Sequence, residues 1–142
     1  MNAYVNQYKN NQILNASPEQ ILIMLYDGAI RFVRQARQAM LDQRELEKSK
    51  AIGKAVAIVA EFSNTLDREM GGAVAENLSN LYDFMLRELS AANVQRDAAK
   101  LDPVEQILLD LREGFAGAIE VNRQQQPSSV GLSGENRLAA TF

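Results

Sequence analysis

From Ser17 to Ala39 the chain reads as one helix with more apolar surface than a single neighbour can cover. Ser17-Pro18-Glu19-Gln20 opens it: the serine hydroxyl can accept from the third helical N–H, Pro18 suits the first helical position, and Gln20 can reach back to the Ser17 N–H. At about 100° per residue, Ile21, Leu25, Gly28, Ala29, Phe32, Ala36 and Ala39 share one side. Leu22, Tyr26, Ile30 and Val33 carry that side round to an arc of roughly 200°, twice the stripe of about 100° that an ordinary surface helix needs. Two apolar faces require two partners. The first is the chain's own fold; the second is a neighbouring segment or another protein.

Three further helices follow in the pattern. The first predicted helix ends near Leu41, and Asp42-Gln43-Arg44-Glu45 has the spacing of a second capping box. Helix 2 is expected from about Glu45 to Met70, with Ile52, Val56, Val59, Phe62, Leu66 and Met70 at three- and four-residue steps and Ile58 at the edge of the stripe. Gly71-Gly72 reads as its stop, because glycine accepts the left-handed conformation. Helix 3, about Ala73 to Asn93, carries Val74, Leu78, Leu81, Met85, Leu89 and Ala92 in a seam widened by Tyr82 and Leu86, with Phe84 pointing away among polar neighbours. Asp102-Pro103-Val104-Glu105 repeats the cap, proline and acid of the first helix, so helix 4 is expected from about Pro103 to Asn122.

Helices of about twenty residues span about 30 Å each, and short connections favour an antiparallel up-down four-helix bundle, an all-α fold. No segment alternates long enough to compete as a strand. The bundle is expected over residues 17–124. Residues 1–16, rich in Asn and Gln but dotted with Tyr4, Val5, Tyr8, Ile13 and Leu14, read equally well as a frayed terminus or as an N-terminal arm that folds back over exposed apolar surface. Residues 125–142, broken by Pro127, Gly131 and Gly134, read as a flexible tail.

Composition narrows the function. With no cysteine there are no disulfides or thiolate metal sites, and with no histidine the commonest general base and metal ligand is missing. The glutamates of di-iron bundles would have to point inward, whereas Glu76, Asp83 and Glu88 fall on an outward face. Gly71-Gly72 lacks the lysine and the preceding strand of a phosphate loop. Tyr26 and Tyr82 read as packing groups with one polar tip rather than acids. The pattern holds no active site and calls for no cofactor or metal. A net charge of −3 disfavours a nucleic-acid footprint. The absence of a signal-peptide pattern and of any run of about 18 apolar residues argues for a soluble protein that is not exported by the general route, with no direct membrane insertion.

Several blocks together resemble the flagellar secretion chaperone FliS family: Tyr8 with Asn11, Gln12 and Ile13; Ala16-Ser17-Pro18; Met24-Leu25-Tyr26-Asp27-Gly28-Ala29-Ile30; Leu66-Asp67; Gly71-Gly72; Asn77-Leu78; Leu81-Tyr82-Asp83; Ala92-Asn93; and Leu111-Arg112-Glu113. They run in family order over about residues 4–119. Asn15 stands where the family usually has threonine, and Phe115 where it often has tryptophan. The resemblance implies a cytoplasmic location and an antiparallel bundle that binds the disordered C-terminal segment of flagellin, prevents premature polymerisation and aids delivery to the flagellar type III export apparatus. It also implies that the arm, through Tyr4, Tyr8, Ile13 and Leu14, caps the binding surface when flagellin is absent.

On that reading an amphipathic client lays its apolar face into a groove. Leu22, Tyr26, Ile30 and Val33 are the expected anchors, with Ile58, Phe62 and Phe84 beside them. The competing reading for each is bundle core, and for Leu22 and Phe62 it is at least as good. A second class of function, a scaffolding bundle that pairs with folded helices or with itself as a homodimer, stays open. It differs in ordering no disordered partner.

Overall fold

The computed structural model describes residues 16–125. They form helix α1 (Pro18–Leu41), α2 (Glu45–Thr65), α3 (Arg68–Gln95) and α4 (Leu101–Gln125), with a 3-10 turn at Ala98–Lys100. No strand occurs among the described residues. Residues 1–15 and 126–142, which hold most of the arm and the tail, lie outside them. α1 packs against both α2 and α4, α2 packs against α3, and the α3–α4 contact that closes the bundle is thinner.

The Ser17 capping box forms as its sequence dictates: the Gln20 N–H donates to Ser17 Oγ at 3.2 Å, and the Ser17 N–H donates to Gln20 Oε1 at 2.9 Å. The box expected at Asp42 does not form. Asp42 closes α1, Gln43 turns left-handed at φ 58°, and Arg44 precedes α2 without a side-chain cap. Lys48 supplies the tie at that end. It is the one buried charged side chain among the described residues, and its Nζ donates to Glu45 at 2.9 Å and to the Asn93 carbonyl of α3 at 3.0 Å.

α2 ends five residues before the expected Met70. Leu66 is extended, and the Asp67 carboxylate accepts from the Met70 N–H at 3.0 Å, capping a new turn. The apolar period ran on through Leu66 and Met70, but a local acceptor outcompeted it; Leu66 is buried and Met70 is 75% exposed. The glycine pair therefore ends this short turn rather than α2. Gly72 breaks the helical path inside α3 at φ 55°, ψ −129°. A Cβ there would meet open space, so the constraint is the backbone alone. Gly72→Ala is expected to cost about 1–3 kcal/mol, read as a lower urea midpoint; an unchanged midpoint would show that the kink is not held.

At the last junction, α4 starts at Leu101 rather than Pro103, continuing from the 3-10 turn that Asp97 caps through the Ala99 N–H. Leu101, Val104 and Leu108 are its buried residues. Pro103 falls within the first turn, where a missing N–H costs nothing. Asp102 faces α1 instead of capping.

Candidate functional site: the apolar bands around helix α1

The centre of the molecule is aromatic. Tyr26 of α1 stacks on Phe62 of α2 with ring centroids 4.4 Å apart at 22°; Phe115 of α4 lies 5.6 Å from Tyr26, and Tyr82 of α3 lies 5.7 Å from Phe62. All four helices contribute a ring. The two tyrosine hydroxyls meet at 3.2 Å inside the core. Burial pushes both hydroxyls above the ordinary tyrosine value, Tyr26 far above it; the hydroxyl contact adds to the rise at Tyr26 and offsets part of it at Tyr82. They stay protonated and serve as each other's polar partner.

This geometry corrects the expected groove. Leu22, Tyr26, Ile30, Val33 and Phe62 are not on an open furrow: Tyr26, Val33 and Phe62 are fully buried, and Leu22 and Ile30 nearly so. The reason is α1's position. One half of its wide arc faces α2 and the other faces α4, with Tyr82 of α3 reaching Tyr26 across the centre. Neighbours within the chain supply both partners that the arc requires. Of the expected anchors, Ile58 and Phe84 keep part of their surface in solvent; Phe84 is half-buried rather than projecting freely. Tyr4, Tyr8, Ile13 and Leu14 lie outside the described residues.

What α1 leaves partly open is a different strip. Ile21, Leu25 and Phe32 are half-buried at successive helical steps, and Leu25 and Phe32 pack on the core from outside. Gly28 interrupts the strip: a Cβ there would sit in ordinary van der Waals contact with the Ile58 side chain at 3.5 Å, so α2 packs closely over this point without excluding an alanine. Phe32 carries cations on its ring, Lys54 Nζ at 5.4 Å and the Arg31 guanidinium at 5.3 Å. On α4 no residue beyond Leu108 is buried, and Ile107, Leu109, Leu111 and Phe115 lie half-open against the core. The strip on α1 and α2 and the outer half of α4 are thus two bands where apolar side chains packed on the core also reach water, apart from the singly exposed Leu41, Leu46, Met70, Val74 and Val94 near helix ends.

Ion pairs invisible to sequence periodicity lock α1 to α4. Arg37 spans Asp102 at 3.0 Å and Glu105 at 2.7 Å, Arg34 meets Glu105 at 3.1 Å, and Arg112 pairs with Asp27. Residues this far apart in sequence could be paired only from the fold. Beside these pairs runs a groove of about 730 Å³, lined by Ile30 and Leu109 together with Asp27, Arg31, Arg34 and Arg112.

Burial works to raise the Glu105 carboxyl, but the guanidiniums of Arg37 and Arg34 outweigh it and hold the group below the ordinary value of 4.5. A carboxyl with a lowered folded pKa adds stability above its unfolded pKa and loses it as pH falls through the folded one. Acidification below about pH 4.5 should therefore loosen the α1–α4 contact. Unfolding of Glu105→Gln should show a shallower stability loss between about pH 6 and about pH 3 than the parent; parallel curves would remove Glu105 from the acid response.

Among the described residues no helix is long and apolar enough to cross a membrane, and no cluster of acidic side chains could hold a metal ion.

Comparison with known proteins gives a consistent result. The family described as "Flagellar protein FliS" matches residues 1–122. The chain is 37% identical over 106 residues to the flagellar secretion chaperone FliSB of Pseudomonas aeruginosa, covering 75% of this chain and 84% of that one. It is 36% identical to the flagellar secretion chaperone FliS of Salmonella typhimurium over 80% of this chain and 84% of that one. For the Bacillus subtilis FliS the figures are 31%, 89% and 93%. A crystal structure of a bacterial flagellar chaperone superposes with a TM-score of 0.68 at 23% identity, covering 82% of this chain and 95% of that one, a likeness of fold.

Proposed function

The chain belongs to the FliS family of flagellar secretion chaperones, and from that premise we propose that it escorts flagellin in the cytoplasm. It binds the disordered C-terminal segment of flagellin, keeps flagellin from polymerising and aids delivery to the flagellar type III export apparatus. The family match over residues 1–122 carries this reading. The absence of histidine and cysteine fits a protein that acts by binding rather than by catalysis.

The half-open apolar strip supports a groove mechanism with shifted anchors. Ile58 and Phe84 remain contacts, joined by Leu25 and Phe32, whose exposed faces an amphipathic client can cover. Leu22, Tyr26, Ile30, Val33 and Phe62 act from beneath, fixing the helices that shape the strip. Burying an apolar side chain fully gains about 1.5–3 kcal/mol, and ordering a disordered partner costs about 2–5 kcal/mol or more. Several half-buried anchors must therefore act together.

Co-purification with the last forty or so residues of flagellin tests the reading. Retention of that segment, and not of flagellin truncated before it, is the expected result; equal recovery of both would overturn it. For the arm, deletion of residues 1–14 is expected to leave helicity intact and to raise affinity for the segment. A sharp drop in affinity would mean that Tyr4 and Tyr8 hold the client rather than compete with it.

A further inference from the structure

The groove between α1 and α4 combines apolar lining with an unbalanced charge. Ile30 and Leu109 are the apolar residues of its lining. Three arginines line it, Arg31, Arg34 and Arg112, against one acidic residue, Asp27. That carboxylate is already engaged by Arg112, and Arg34 shares Glu105 with Arg37. Arg31 is exposed and has no ion-pair partner among the described residues. Its guanidinium rests over the Phe32 ring, on the edge of the apolar strip described above. A cationic edge on a chain whose net charge is −3 is a local departure from the whole.

The dimensions favour a peptide over a small anion. The lining runs along α1 from Asp27 to Gln38, three helical turns or about 16 Å at about 1.5 Å per residue. That length accommodates about five residues of extended chain at about 3.3 Å each. Gln35 offers an amide along the wall that can bond a peptide backbone.

We propose that this groove docks an acidic stretch of the client's disordered segment, with a carboxylate on Arg31 and an apolar side chain over Leu109. The inference rests on the flagellin-binding reading and adds a second, charge-selecting site to the apolar strip. Because Arg31 borders both, one continuous segment can pass from strip to groove around α1. The apolar strip supplies attraction that salt leaves largely alone. The groove supplies attraction that salt screens, and it fixes the direction in which the client lies.

The test measures the dissociation constant of the C-terminal flagellin segment at low and high salt for the full chain, Arg31→Glu, Arg31→Gln and Ile58→Asp, with circular dichroism on each sample. Arg31 holds no ion pair, so both of its variants should keep the parent helicity. Arg31→Glu is expected to weaken low-salt binding about three- to tenfold and to flatten the salt dependence, with Arg31→Gln intermediate. Ile58→Asp should weaken binding at both salt concentrations. Unchanged affinity and salt slope in both Arg31 variants, with Ile58→Asp still weakened, would overturn the groove assignment and leave the flagellin reading standing. Failure of the parent protein to bind the segment at any salt would overturn both.

Discussion

Phe62→Ala is expected to lower the stability of the bundle by about 3–5 kcal/mol, the cost of emptying a fully enclosed aromatic site. Phe62 is the middle ring of the set, stacked on Tyr26 and tilted against Tyr82. It has no exposed surface. Truncation removes its transfer energy and leaves a hole bounded by three helices that cannot all close in. The hydroxyl contact between Tyr26 and Tyr82 depends on the same spacing, so it should loosen as well. Urea unfolding followed by far-ultraviolet circular dichroism reads the result. A loss below about 1 kcal/mol would mean that the site collapses freely and that these rings do not organise the centre.

Ile30→Asp is expected to be comparably damaging. Ile30 is 5% exposed, and the substitution both deletes apolar volume and places a carboxylate in the groove lining. Arg34 and Arg112, which line the same groove, are already held by Glu105 and Asp27, and at a nearly sealed position the carboxylate loses most of its water. The combined cost is about 3–5 kcal/mol. Helicity and flagellin pull-down measured on one sample should fall together, so lost binding at this position reports lost structure. Ile58→Asp supplies the contrast, because a half-exposed site tolerates charge: helicity should persist while the pull-down weakens. An Ile30→Asp protein that keeps full helicity but releases flagellin would return Ile30 to the binding surface.

The sequence revealed the helices better than their neighbours. Four amphipathic stretches, their order and the Ser17 capping box follow from local rules, because each depends on residues within one or two turns of each other. Boundaries failed where two local rules competed. The apolar stripe of α2 continues through Leu66 and Met70, yet Asp67 starts a new turn. Likewise Asp102 and Pro103 imitate a helix start, while Leu101 is already buried at the head of α4; its spacing to Val104 and Leu108 was the overlooked signal.

The candidate site was harder to read for a physical reason. An over-wide apolar arc shows that a helix has two partners and cannot say whether either is foreign. In this bundle α1 lies between α2 and α4, so both partners are native. What that packing leaves partly open on α1 and α2 includes Leu25, Phe32 and Ile58, with the exposed Arg31 beside them, and the proposed client surface is drawn from these residues. Arg34, Arg37, Asp102 and Glu105 carry no periodic signature, because their meaning arises only when α4 is laid against α1.

In the proposed function, the apolar surface that the bundle leaves open is completed by ordering a disordered client. Calorimetry of the full chain with the C-terminal flagellin segment, repeated across temperature and paired with circular dichroism of the mixture, tests this most directly. A strongly negative heat-capacity change with a gain in helicity beyond the sum of the parts is the predicted result, as expected when folding and binding are coupled. Binding with little heat-capacity change and no added helicity would contradict it.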